Sequence, residues 1–250
     1  MKHFIFVLLT VCSLQVAFGQ NKQLLISEAD RLEAIPNEKA ALNKFKEALQ
    51  SDPNNSYALS KASELCSRIG SRTQEAAYQK QWFSAALSYA SKGLKVAPSD
   101  DRVHVSMAMI LGKSSMNQSN REKVRLARDV KKHLDLAIKL NPGNYLAWHI
   151  LGRLNYEISN VSSVERAAAK VLYGGMPEGS VTNAIRFLEK ARSIQPKFIL
   201  NNIELAKAYH KNGNTTHALD LLKAVASLPV NTEDDPWLKT IAVKLINEFS

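Results

Sequence analysis

The sequence is poor in the residues that interrupt helices. Only 10 of its 250 residues are glycine and 8 are proline, while Ala, Leu, Lys and Ser fill long segments between them. Apolar residues recur in these segments at a spacing of about 3.6. We therefore expect an all-helical chain.

Long apolar runs are also lacking, since a membrane-spanning helix needs about 20 apolar residues. A short run, Phe4–Leu9, follows a basic start and precedes Ala17 and Gly19, which are small residues suited to a cleavage site. This pattern predicts a signal peptide over residues 1–19 and a single helical domain over 20–250. The protein is then expected to be exported, to the periplasm or as a secreted protein, and not to be integral to a membrane.

Cysteine is scarce, which limits both crosslinking and thiol chemistry. Cys12 would leave with the signal peptide, so Cys66 would have no partner for an intramolecular disulfide. Cys66 lies at helical spacing from Leu59, Ala62 and Ile69, which favours a small buried thiol over a nucleophile.

Motifs of catalysis and of cofactor binding are absent from the sequence. It has no GxSxG, no P-loop and no GxGxxG, and its histidines form neither an HExxH motif nor an i, i+4 pair. No cysteine pair completes a metal site. We therefore predict a protein that is not an enzyme and that needs no cofactor or metal.

Positive charge exceeds negative charge by 10. Arg121, Arg125, Arg128 and Lys132 would form one stripe along a helix. A solvated outer face is the favoured interpretation, and contact with anionic lipid headgroups is the alternative. Nucleic acid is not an expected partner, because no aromatic residues alternate with the stripe and because export would separate the two.

A pattern of small and large residues repeats around four prolines. Each proline follows a helical run and a polar turn, with small residues five positions before it and ten after it, and a mostly larger residue eight before it. The prolines are Pro53, Pro98, Pro142 and Pro196, the small residues are Ala48, Gly93, Ala137, Ala191, Ser63, Ala108, Gly152 and Ala206, and the residues eight before are Phe45, Ala90, Leu134 and Leu188. Small residues allow two helices to cross closely, so the pattern predicts one helix pair repeated.

These residues resemble the tetratricopeptide repeat, most clearly in Trp148-x-x-Leu151-Gly152 and in Leu205-Ala206-x-x-Tyr209. The resemblance implies a right-handed α-α superhelix, a solenoid of about five helix pairs. Its unit is about 34 residues, whereas the interval from Pro142 to Pro196 is about twenty residues longer. The excess predicts an inserted short helix and loop at about 161–180.

Residues from about 100 to 233 resemble a more specific family, the regulators of microtubule dynamics. The resemblance is carried by AWHILGRLNYEISNVSSVERAAAKVLYGGMPEG, including Trp148, His149, Gly152, Arg153, Glu165, Arg166, Leu172, Tyr173, Gly174, Pro177 and Glu178. It implies a non-enzymatic interaction domain. The expected export argues against carrying over an association with microtubules.

The insert allows two interpretations. Ser162 or Ser163 would cap its helix, Glu165 would lie in the first turn, and Gly174 would end it. It is either a packed loop beside the stack or a lip over the groove, with Tyr173 and Met176 meeting a ligand.

The concave groove is expected from positions seven, eleven and fourteen after each proline. Besides Ser60, Glu64, Ser67 and Gly112, these positions hold Val105, Met109, His149, Arg153, Tyr156, Ile203, Lys207 and His210. Basic residues beside apolar ones suit an acidic peptide, so we predict a scaffold that binds a protein or peptide. The alternatives are a carrier of an anionic lipid or other amphiphile in the same groove, and an ordinary solvated face.

Overall fold

The computed structural model describes residues 23–115 and 118–250, which contain twelve helices and no strand. The predicted signal peptide, residues 1–19, lies outside the described residues. The helices are α1 (23–34), α2 (Glu38–Ser51), α3 (Ser56–Arg72), α4 (Ala76–Val96), α5 (Asp101–Ser114), α6 (Asn120–Leu140), α7 (Tyr145–Ser159), α8 (Ser163–Tyr173), α9 (Val181–Ile194), α10 (Ile199–Lys211), α11 (Thr215–Val225) and α12 (Asp235–Phe249). None of the helices in these two ranges combines the length and apolar character needed to span a membrane.

The helices stack as antiparallel pairs. The pairs are α3 with α4, α5 with α6, α7 with α9, and α10 with α11, and α12 packs on the last pair. At the other end α2 packs on α3, and Ala29 of α1 joins their core. The first helices α3, α5, α7 and α10 also follow one another along the stack. The predicted all-helical solenoid is confirmed, and α8 is the predicted inserted helix.

Each of the four repeat prolines lies in a short turn between two helices, and in the first three turns a polar side chain caps the second helix. After α6, the Asn141 N–H donates to the Ala137 carbonyl at 2.8 Å, and the Asn144 N–H donates to the Asn141 carbonyl at 3.1 Å. The Asn144 side chain then accepts from the Ala147 N–H at 3.1 Å, which caps α7. Pro142 needs no hydrogen-bond donor in this turn, so its position suits its lack of an N–H.

The core is built from the repeated positions around the four prolines. The residues five and eight positions before each proline and ten positions after it are all buried. Gly152 shows why some of these positions need small residues. A Cβ at this position would lie 2.6 Å from Cγ of Leu188 and 3.2 Å from its backbone nitrogen. Therefore α7 and α9 can approach this closely only because position 152 has no side chain.

The two ends of the solenoid are joined by a charged clasp, which consists of Glu38, Arg72, Glu233 and Asp234. Arg72 at the end of α3 contacts Glu38 at 2.5 Å, Glu233 at 3.0 Å and Asp234 at 2.9 Å. Glu233 also accepts from the Glu38 N–H at 2.8 Å, at the start of α2. The segment between α11 and α12 thus reaches back to the N-terminal helices.

The insert packs beside α6, the second helix of its pair, rather than over the groove. Arg128 of α6 donates to the Tyr173 carbonyl at 2.9 Å, and Gly174 ends α8 with a φ of 75°. At the other end of α8, Arg166 donates to the carbonyls of Ile158 and Val161 and so satisfies the end of α7. These contacts favour the packed-loop interpretation over the lip.

Candidate functional site

The first helices of the pairs line the concave groove, but the predicted lining residues divide into two groups. Val105, His149 and Ile203 are only 1%, 2% and 1% exposed and pack between helices. They do not line an open surface. The residues of the second group are half-buried, which leaves the prediction that they line the groove open: Met109, Arg153, Tyr156, Lys207 and His210.

His149 is a buried link between α7 and α10 rather than a ligand-binding residue. Its Nδ1 lies 3.0 Å from the Asn201 Oδ1, and the Asn201 amide donates to the Leu188 carbonyl at 3.0 Å. Its ring also contacts Phe198 edge to face. Burial, with the nearby Arg153, lowers the pKa of His149 to about 3, so the imidazole is neutral at ordinary pH.

The C-terminal half of the groove carries an excess of positive charge. Glu204 accepts from Lys207 at 3.3 Å, and its Oε1 lies 3.9 Å from the Nε of Arg153. Lys113 lies near Arg153, Asp234 and Glu204, and burial together with the Arg153 charge lowers the pKa of Lys113. Among the described residues Lys113 forms no hydrogen bond or ion pair, and the buried Nε of Arg153 has no hydrogen-bond partner. We call Lys113, Arg153, Glu204 and Lys207 the basic cluster.

The N-terminal half of the groove is electrically balanced. Glu33 pairs with Lys61 at 2.7 Å and with Arg68 at 2.6 Å. Glu64 lies among them, and its burial raises the pKa of its carboxyl. Tyr145 interacts electrostatically with these charged groups, and burial raises the pKa of its phenol. Arg68 also pairs with Glu38 at 3.1 Å, so the two cations face three acidic groups and leave no excess of positive charge for an external anion here.

Sequence reasoning missed Lys61, Arg68, Lys113 and Glu204. Counted from the prolines, they lie at positions eight and fifteen, which share a helix face with position eleven. The seventh position points between neighbouring first helices instead. A count that tested the face at eight, eleven and fifteen would have found all four residues.

The residues of the family-like insert serve mainly to build α8 and its loop. Glu165 and Ser162 form a capping box, and Arg166 holds the end of α7. Glu178 is exposed. Gly174, Gly175, Met176 and Pro177 line a cleft of about 620 Å³ against α6, whose contribution is Arg128, Lys131, Lys132, Asp135, Leu136 and Lys139. We call this the outer cleft.

Metal-binding side chains do not gather in the part of the chain that the structure describes, where no group of three or more His, Cys, Asp or Glu could hold an ion. His104 and His133 form an isolated pair with Nδ1 atoms 2.9 Å apart. The other ring nitrogen of His104 lies 2.9 Å from the Pro98 carbonyl, so it carries the proton that it donates there. The pair therefore ties α6 to the turn before α5.

The architecture defines a tetratricopeptide-repeat solenoid. The fold is similar to that of a thermophilic TPR protein from Thermus thermophilus, with a TM-score of 0.63 and 16% sequence identity over 89% of this chain and 99% of that one. This likeness concerns the fold alone.

The family model of regulator of microtubule dynamics protein 1–3 matches residues 25–250, and the chain belongs to this family. It is 30% identical over 174 residues to regulator of microtubule dynamics protein 3 of Xenopus laevis, which covers 69% of this chain and 37% of that protein. It is 27% identical over 210 residues to regulator of microtubule dynamics protein 1 of Bos taurus, which covers 84% of this chain and 65% of that protein. The chain thus spans less than two thirds of the length of these relatives. The predicted family resemblance is confirmed, and it extends beyond residues 100–233.

Family membership corrects the predicted location. The relatives are eukaryotic regulators of microtubule dynamics, from mouse and human among others, and the expectation of an exported, periplasmic or secreted protein is wrong. The exclusion of microtubules rested on that expectation and loses its basis.

Proposed function

We propose that this chain is a non-enzymatic scaffold whose concave groove binds an acidic segment of a partner protein. The observation that carries the proposal is the basic cluster, in which Lys113, Arg153 and Lys207 outnumber the nearby carboxylates of Glu204 and Asp234. The tetratricopeptide-like fold supports the role of a scaffold. The acidic nature of the partner follows from the charge of the groove.

A carboxylate in the groove would satisfy groups that the chain leaves without partners. Arg153, whose side chain is 38% exposed, offers its guanidinium group, and Lys113 offers an ammonium group in a partly desolvated place. Hydrogen bonds to charged groups contribute about 1.5–3 kcal/mol each. Met109 and Tyr156 lie on the same helix faces and would shield such bonds from water.

The alternative of a lipid carrier has less support in this groove. Its apolar lining was to come from Val105, Met109 and Ile203, of which Val105 and Ile203 are buried between helices and only Met109 is half-buried. The groove surface at these places is instead polar and charged, so the structure offers an acyl chain no continuous apolar channel among the described residues.

The names of the relatives make microtubules and the proteins around them the first place to search for the acidic segment. A direct test uses a fluorescent peptide with six consecutive glutamates and a matched peptide with six glutamines. Fluorescence anisotropy should show binding of the glutamate peptide alone, and the affinity should fall as salt rises.

The decisive variant combines Lys113→Gln with Arg153→Gln, and we expect it to weaken glutamate-peptide binding at least tenfold. Lys223→Gln, on the exposed side of α11, is the control of equal charge type. Equal binding of the two peptides, or unchanged affinity in the double variant, would overturn the proposal.

A further inference from the structure

The apolar face of α8 points away from the protein. Val164, Val171 and Leu172 are 76%, 84% and 65% exposed, whereas the buried residue of this helix is Ala169. Positions 164, 168, 171 and 172 share one face of α8, because an α-helix has 3.6 residues per turn. Ala169 lies away from the centre of this face. A surface helix normally turns its apolar side toward the core. The apolar side of α8 instead faces solvent.

An exposed apolar face of this kind marks a place of contact. Within the described residues, α8 packs mainly on α6, and its Arg166 also bonds the end of α7, so the helix lies on the outer side of the stack. Its capping box and its left-handed Gly174 fix both of its ends. The helix thus presents the apolar face as a defined surface rather than as a loose segment.

The surroundings of this face are basic. Of the cations on this side, Arg125 pairs with Glu122 and Asp129, and Lys131 pairs with Asp135. The others have no acidic partner among the residues that the structure describes. These are Arg128, Lys132 and Lys139 at the outer cleft and Lys170 on α8.

We infer that α8 and the outer cleft together dock onto an anionic membrane surface. Val171 and Leu172 enter the boundary between headgroups and acyl chains, as the apolar face of an interfacial helix does. Lys170 adjoins Val171 in the chain, and Lys132 and Lys139 line the outer cleft at the end of α8, where they attract lipid phosphates and carboxylates. The outer cleft has room for one headgroup against α6.

Charge and shape favour this occupant over two others. A second copy of the chain would bring like charges face to face, because the same basic residues would flank both helices. An acidic helix of another protein would need a groove to lie in, and here the apolar residues stand on the crest of a projecting helix. A fluid bilayer surface takes up such a crest without a matching groove.

Co-sedimentation with lipid vesicles tests the inference. The whole chain should bind vesicles of phosphatidylcholine with 30% phosphatidylserine, bind pure phosphatidylcholine vesicles at least tenfold more weakly, and be released by salt. Val171→Asp with Leu172→Asp should reduce binding at least tenfold, and so should Lys132→Glu with Lys139→Glu. The controls are Val243→Asp, at an exposed valine of α12, and Lys223→Glu, on α11.

A second readout reports insertion directly. A polarity-sensitive fluorophore on Leu172→Cys should shift to shorter wavelength with the anionic vesicles, and the same fluorophore on Val243→Cys should not. Circular dichroism should show equal helix content in all variants, because the changed side chains are exposed.

The inference is overturned if the anionic vesicles do not bind the chain, if site and control variants bind alike, or if the label at position 172 does not shift. Capture of an acidic amphipathic peptide in place of vesicles would also overturn it. The Lys113→Gln, Arg153→Gln variant should bind vesicles as the unaltered chain does. Vesicle binding and groove binding can therefore succeed or fail separately.

Discussion

At the scale of single residues, the closest helix contact in the repeat that carries the insert depends on Gly152. Its missing side chain leaves room for the side chain and backbone nitrogen of Leu188. Gly112 of α5 offers a contrast, since a Cβ there would meet nothing within 4 Å. Comparing substitutions at the two positions therefore distinguishes the need for space at a helix crossing from the general effect of glycine on helix stability.

Gly152→Ala should destabilise the protein by about 1–3 kcal/mol, because the new methyl group would force α7 and α9 apart. Gly112→Ala should have no cost or should stabilise by up to about 1 kcal/mol, because alanine favours the helix. Urea unfolding at equal pH measures both changes. Equal effects of the two substitutions would refute the assignment of Gly152 as the crossing residue.

His149 should make stability depend on pH. Its pKa is about 3 in the folded protein, against about 6.5 for an unperturbed histidine. Between these values the unfolded chain binds a proton that the folded chain does not, so this contribution to stability is lost as pH falls from about 6.5 toward 3. At pH 5 the loss relative to pH 7 should be about 2 kcal/mol.

His149→Asn is the matched variant, since its amide can still donate to Asn201. It should begin with lower stability but lose about 2 kcal/mol less between pH 7 and pH 5. Urea unfolding at the two pH values gives the comparison. If both proteins lose the same stability, the imidazole does not cause the pH dependence.

At the scale of elements, helix ends could be predicted well and helix orientation could not. The sequence pattern left Ser162 and Ser163 as alternative caps for α8. The structure selects Ser162, whose Oγ accepts from the Glu165 N–H at 3.2 Å, while the Glu165 carboxylate accepts from the Ser162 N–H at 2.9 Å. Such contacts join residues three positions apart, so the local sequence is enough to predict them. The apolar face of α8 points outward because of how α8 packs on α6. Since α6 is distant in the chain, the local sequence could not predict this orientation.

Ser162→Ala should loosen α8 by about 1 kcal/mol, because it removes the hydroxyl of the capping box. Hydrogen exchange of the amides in residues 163–173 should become faster, with little change in the melting temperature of the stack. Ser163→Ala is the control, since that side chain is exposed and does not cap the helix. Faster exchange in the control as well would argue against the capping box as the cause.

At the scale of the whole molecule, the charged clasp joins parts of the chain that no local pattern connects. Arg72 and Glu233 are 161 residues apart in sequence. Repeat columns predicted the helix pairs and the core because each repeat mainly contacts its neighbours. They carried no information on how far the stack curves, so the clasp and the uneven charge of the groove could not be predicted.

Glu233→Gln combined with Asp234→Asn should cost about 1–2 kcal/mol, a moderate value because both acidic groups are partly exposed to solvent. Exchange of the Glu38 amide should become faster, since Glu233 accepts its hydrogen bond. Asp220→Asn, at an exposed position of α11, is the control. An unchanged rate at Glu38 would show that the clasp does not hold the two ends together in solution.

The insert has a consequence for how the chain can vary. Residues 160–180 separate the end of α7 from the start of α9, and their number nearly equals the excess of the third proline interval over the unit of about 34 residues. Without them, α7 and α9 would be an ordinary repeat with the same crossing at Gly152. The insert is thus an addition to a repeat that is already complete. A solenoid that lacks the insert can therefore keep the same register, and the residues of α8 and its loop that carry the family resemblance belong to the insert rather than to the repeat beneath it.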